Sequence, residues 1–190
     1  KWERMNGDEE IDVADDMTRL TLDTIGLCGF DYRFNSFYRD GNHPFVDAMV
    51  NALETTMKTR GLPLETLIKK DQQRKLERDV VYMNGMVDDI IRERRRAGSS
   101  RKKSRNDLLD YMLSGIDKKT GEGLDDVNIR YQIITFLIAG HETTSGLLSF
   151  AVHALLNHPE VLARAYEEVD RVLGPDPAVA PTYAQVNRVT

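Results

Sequence analysis

Ile133-Ile134-Thr135-Phe136-Leu137-Ile138-Ala139-Gly140-His141-Glu142-Thr143-Thr144-Ser145-Gly146-Leu147-Leu148-Ser149-Phe150-Ala151-Val152 is the stretch whose reading decides the fold. It lies inside an apolar run from Ile129 to Leu156, long enough for a helix of about 42 Å. Apolar side chains point in nearly every direction around that helix, which predicts burial on all sides. The polar centre, Gly140 to Ser145, is then expected under the protein surface, where a carboxylate and three hydroxyls need partners or a task.

Several kinds of helix are excluded or left open by that centre. A membrane span needs about 20 mostly apolar residues without interruption, and His141 to Ser145 interrupts this one. A zinc-protease helix needs a second His four residues after His141, and that position is Ser145. A core helix tolerating a few satisfied polar groups stays open, since Thr and Ser bond back to the carbonyl four residues earlier.

A sharper reading starts from Gly140, because glycine inside a helix costs about 1 kcal/mol relative to alanine. The Thr143 hydroxyl competes for the carbonyl of Ala139, and together the two residues invite a local opening that admits water or a small ligand. Phe136, Ala139 and Thr143 fall on one face, as a flat ring, a gap and a hydroxyl. Something large and flat fits against such a face. Glu142 points to its side, where desolvation would raise the carboxyl pKa and make it a proton carrier.

At these residues the chain resembles the cytochrome P-450 monooxygenases, whose long central helix carries Ala/Gly-Gly-x-Asp/Glu-Thr-Thr. Here the pattern stands as Ala139-Gly140-His141-Glu142-Thr143-Thr144. Thr18 to Phe30, Tyr32 to Tyr38 and Asn128 to Ile138 look like the self-sufficient fatty-acid hydroxylases, in which the haem domain is fused to a flavin reductase. The resemblance covers nearly the whole chain and is weakest over 62–73 and 94–106.

The resemblance implies an all-α fold and a reaction, insertion of one oxygen atom of O₂ into a C–H bond with electrons from NADPH. It implies haem b, with FAD, FMN and NADPH acting through a fused or separate reductase, and a fatty acid or similar apolar substrate. Thr143 would hydrogen-bond the dioxygen and hold a water, and Glu142 would pass protons inward. Ala139 and Gly140 would leave room for oxygen, and Phe136 and Thr144 would pack near the haem edge. Met49, Leu53 and Met57, with Ile138 and Ala139, match positions lining the substrate channel. The 190 residues are expected to be an internal part of a haem domain, without the Glu-x-x-Arg helix and the cysteine loop that ligates iron. A non-enzymatic helical interaction module, or an inactive truncated product, is the alternative.

Composition bounds the rest. With 41% hydrophobic and 30% charged residues the chain fills one globular domain with a real core. A net charge of −5 argues against a general nucleic-acid binder. No signal peptide or hydrophobic anchor is read, and a single cysteine excludes an internal disulfide framework and fits a reducing, cytoplasmic setting.

Trp2 to Gly7 reads as the tail of a helix. Asp12, Asp15 and Asp16 cap a second helix running to about Gly29, with Leu20, Thr24, Leu27 and Cys28 as its inward stripe, so Cys28 reads as a small buried residue. After the loop 31–42, Pro44 opens a helix whose Phe45, Met49, Leu53 and Met57 recur every four residues, the ordinary mark of a core stripe. Gly61 and Pro63 end it. A long amphipathic helix follows from Glu65 to Arg96, and the basic run Arg92 to Arg105 reads as a solvated loop. Asp107 to Leu113 is a short helix, Asp117 to Gly123 a turn, and Asp125 and Asp126 cap the central helix. Pro159 opens the next helix, whose Leu162, Ala165, Val169, Val172 and Leu173 share a face, and Gly174-Pro175 stops it. A short helical piece closes the chain from Thr182 to Arg188. No strand pair and no internal repeat is read. His141 has neither metal partner nor charge relay evident in the sequence and reads as a bystander.

Overall fold

The computed structural model describes residues 2, 7, 10–59, 70–98, 106–174, 176 and 179–189, and the described residues are helix and loop. Seven α-helices follow in order: α1 Val13–Phe30, α2 Pro44–Thr59, α3 Lys70–Gly98, α4 Leu108–Ser114, α5 Asp126–Asn157, α6 Pro159–Leu173 and α7 Tyr183–Val186. A single antiparallel bridge, Ile116 to Gly123, closes the turn before α5. Among the described residues no helix is long and apolar enough to cross a membrane. The expected ends at Gly61 and Pro63, the first residues of the 65–96 helix and most of Trp2 to Gly7 lie outside the described residues.

Local chemistry sets the helix starts. The Asp12 carboxylate accepts the Asp15 amide at 3.0 Å, and Asp107 accepts the Asp110 amide at 2.9 Å, each satisfying a donor that the first turn leaves free. His43 caps α2 with its ring, since Nδ1 accepts the Phe45 N–H at 3.1 Å and the His43 carbonyl accepts from Val46. Asp125 accepts the Asn128 amide at 2.7 Å at the start of α5.

The chain divides into two units, Lys1 to Gly146 and Leu147 to Thr190. The first holds the core: Leu22 and Phe30 of α1, Phe34, Phe45 and Met49 of α2, Met83, Val87 and Ile91 of α3, Leu109 of α4, and Ile129, Ile133 and Leu137 of α5. Phe34 anchors the loop after α1, its ring edge-on to Tyr32 at 4.8 Å and to His43 at 4.9 Å. In the second unit Pro159 opens α6, whose Val172 is buried, and Gly174 ends it at a positive φ of 95°. Thr182 and Gln185 form a reciprocal capping box at α7.

Two sequence expectations are corrected here. The inward face of α1 is Thr21, Leu22, Gly26, Gly29 and Phe30, whereas Leu20, Thr24, Leu27 and Cys28 are exposed. Glycine decides this, because a Cβ at Gly26 would lie 2.6 Å from the Phe34 ring, so the ring seats against bare backbone. The basic run is also not wholly solvated. Arg94 is buried, with Nη1 donating to Asp107 and Asp110 at 2.6 Å each and Nη2 to Asp107 at 2.7 Å and to the Phe30 carbonyl at 2.9 Å. A planar guanidinium satisfies two carboxylates and a carbonyl at once, joining α3, α4 and the end of α1.

Candidate active site

α5 is tied at its start by ion pairs from Arg95 to Asp126 and from Arg130 to Asp88, the latter at 3.3 Å. Its inward stripe in the first unit runs in four-residue steps through Ile129, Ile133, Leu137, His141 and Ser145. The helix continues unbroken through Gly140.

The opposite face is open. Phe136 is 38% exposed, and Ala139, Glu142, Thr143 and Thr144 are also exposed. The expectation of a helix buried all round is therefore corrected for this chain: only one stripe is covered, and the polar centre apart from His141 and Ser145 faces solvent. Glu142, expected to be desolvated beside that face, is exposed here. The Thr143 hydroxyl does reach back, donating to the Ala139 carbonyl at 2.6 Å. Phe136, Ala139 and Thr143 stand together as predicted, with Glu142 and Thr144 beside them.

The remaining candidates lie near the same core. Ile138 is half-buried against it, and Gly140 is half-buried where Ile25 passes, 3.3 Å from the place a Cβ would occupy. On α2 the stripe runs from inside to outside. Met49 is fully buried in the core cluster, Leu53 packs partly against it, and Met57 is 72% exposed. The core reading of that stripe holds for its first half, and Met57 lies outside the core.

His141 is the residue whose place the sequence concealed. It is 2% exposed, and neither ring nitrogen meets a hydrogen-bond partner among the described residues. Burial pushes its pKa below the usual histidine value, against a smaller opposing effect of the Glu142 charge. It packs beside α1 with Thr18, Thr21 and Ser145, residues that periodicity did not single out. The available signal was the small size of Gly140, which marks a close helix approach.

Chemically, the open face offers a flat apolar surface with a gap at Ala139, a hydroxyl and a neighbouring carboxylate. That is a wall for a planar apolar group with a proton-handling edge. Among the described residues no group of three His, Cys, Asp or Glu side chains is placed to hold a metal, and Cys28 is an exposed residue of α1.

A family model described as Cytochrome P450 matches residues 1–190. The bifunctional cytochrome P450/NADPH–P450 reductase 2 of Bacillus subtilis (strain 168) is 56% identical over 192 residues, 100% of this chain and 18% of that protein. The bifunctional cytochrome P450/NADPH–P450 reductase of Bacillus cereus is 55% identical over 100% of this chain and 17% of its own length. The self-sufficient cytochrome P450 monooxygenase CYP505E3 of Phanerodontia chrysosporium is 51% identical over 92% of this chain and 16% of its own. The chain thus spans less than a fifth of the length of these relatives.

Proposed function

Because the chain belongs to the cytochrome P450 family, we propose that it is the oxygen-activating segment of a haem-thiolate monooxygenase that hydroxylates fatty acids or similar apolar chains. The net reaction takes a C–H bond, O₂, two electrons from NADPH and two protons to an alcohol and water. The electrons reach the site from NADPH through a reductase, which the names of the relatives include, with FAD and FMN as its carriers. The observation that carries the proposal is the open face of α5, where Ala139 leaves a gap between the Phe136 ring and the Thr143 hydroxyl. The single cysteine suits a cytoplasmic setting.

Haem with a cysteine thiolate supplies the chemistry that favours O–O cleavage. This chain supplies the surroundings. Phe136, Ala139, Gly140 and Thr144 would hold the macrocycle against α5. Thr143 would exchange its bond to the Ala139 carbonyl for one to dioxygen or a water, and Glu142 would replace the proton it gives. Met49, Leu53, Met57, Ile138 and Ala139 border the acyl chain, where the two methionines adapt to its shape. The residues exposed here on α5 are covered by the remainder of the parent, whose cysteine loop and Glu-x-x-Arg helix complete the haem site.

The test is the absorption spectrum of the reduced, carbon monoxide-bound protein made from the complete reading frame. A thiolate-type spectrum supports the monooxygenase. Its absence from a folded full-length protein would overturn the assignment and favour a non-enzymatic helical module.

A further inference from the structure

The turn carrying Glu142 and Thr143 is held from behind by α1. The Thr21 side chain oxygen lies 3.1 Å from the carbonyl oxygen of His141, and also 2.9 Å from the Met17 carbonyl and 3.1 Å from that of Thr18. A hydroxyl carries one proton, so Thr21 bonds either within its own helix or across to α5. One turn on, the Ser145 hydroxyl meets the Thr18 hydroxyl at 2.9 Å. On the other side of the Thr21 contact, Gly140 lets Ile25 approach, with Cγ1 and Cδ1 only 3.3 and 3.4 Å from the position a Cβ would take.

These attachments bear on the side of α5 away from the open face, since two residues of helix turn His141 about 200° from Thr143. The His141 ring is buried without a hydrogen-bond partner among the described residues, and the polar link to α1 runs through its carbonyl. A helix carbonyl that accepts a second bond from outside tilts outward, and its own i→i+4 bond lengthens. The carbonyl in question belongs to the peptide joining His141 to Glu142. Its tilt therefore sets the direction in which Glu142 and Thr143 leave the helix, on the turn whose front carries the Thr143 bond to Ala139.

We propose that Thr21 is a positioning residue for oxygen activation: its hydroxyl bond to the His141 carbonyl orients the Glu142–Thr143 turn from the rear. This rests on the monooxygenase reading above. Misdirection of the turn lets two electrons and two protons reduce O₂ to hydrogen peroxide in place of C–H insertion.

The experiment compares Thr21→Val, Thr21→Ala and Thr21→Ser with wild type in the full-length protein, reading amide exchange over 137–146 and product formed per NADPH consumed. A buried hydrogen bond of ordinary strength corresponds to about a fivefold change in a local equilibrium. Both hydroxyl-free variants are expected to exchange about fivefold faster there and to lose coupling by about the same factor. Peroxide should make up the balance, the carbon monoxide spectrum should be unchanged, and Thr21→Ser should restore both readouts. Two hydroxyl-free variants of different volume keep the test open should one not fold. Wild-type exchange and coupling in either variant would overturn the proposal, as would a coupling loss that Thr21→Ser does not rescue. A wild-type protein without a thiolate spectrum would defeat the monooxygenase reading instead, and the exchange data would still judge the α1 to α5 link.

Discussion

Replacing Arg94 with Met should unlock the junction of α1, α3 and α4 more than any other single change in the first unit. The methionine keeps the stem's volume but leaves the Asp107 carboxylate, whose side chain is 8% exposed, with the Asp110 amide as its remaining donor among these bonds. The Phe30 carbonyl loses its guanidinium donor as well. Breaking a buried pair by removing one partner costs about 3–5 kcal/mol, because the other charge stays buried and uncompensated. At 1.4 kcal/mol per decade, amides of α4 and of the end of α1 should exchange about 10²- to 4 × 10³-fold faster in the full-length protein. Hydrogen exchange read by mass spectrometry is suited to this, since it reports local opening in a multidomain chain where one global unfolding free energy is not defined. Adding Asp107→Asn, which keeps the capping oxygen and removes the stranded charge, should recover at least about 1 kcal/mol. Exchange within about threefold of wild type in Arg94→Met would refute the reasoning, since it would mean that the network contributes under about 1 kcal/mol.

Acid should weaken the first unit through two histidines. Burial lowers the pKa of His43 and of His141 below the usual value, so between the folded and unfolded pKa only the unfolded chain is protonated, and stability falls as pH drops below about 6.5. The slope is about 1.4 kcal/mol per pH unit for each ring charged only when unfolded, and His141→Leu should remove one of the two contributions. An unchanged pH profile in that variant, measured by exchange of the α1 amides, would count against a neutral buried His141. At Gly26, an alanine Cβ would meet the Phe34 ring at 2.6 Å and the Tyr32 carbonyl at 2.9 Å, with Tyr32 and His43 flanking the ring. Overpacking of about 1–3 kcal/mol should outweigh the helix preference of alanine, about 1 kcal/mol, and exchange of α1 should accelerate. A Gly26→Ala protein as protected as wild type would show that the loop yields freely.

Boundary chemistry was legible because it is local. Asp12 and Asp125 cap where a short acidic side chain precedes an apolar period, and Pro159 opens α6. The grouping of Phe136, Ala139 and Thr143 was legible for the same reason, since helical spacing alone puts them on one face. What escaped was set by distant partners. Leucines at 20 and 27 outweighed Thr21 and Gly26 in a hydrophobic count, yet backbone approach at the glycine fixed which way α1 turned. Arg94 lies in a basic run, and only carboxylates from α4, more than ten positions on, draw it inward. His141 stands between residues of the open face in sequence, and its burial depends on α1, over a hundred positions earlier. The all-round apolar character of α5 predicts burial on every side, whereas its buried residues form one stripe, Ile129 to Ser145.

The central claim, that this helix delivers protons to dioxygen, is tested most directly by the ratio of product to NADPH consumed in full-length Thr143→Ala. The account predicts that the ratio falls about tenfold or more, with peroxide replacing product, while haem content and the carbon monoxide spectrum match wild type. Wild-type coupling in a fully haem-loaded Thr143→Ala protein would contradict it.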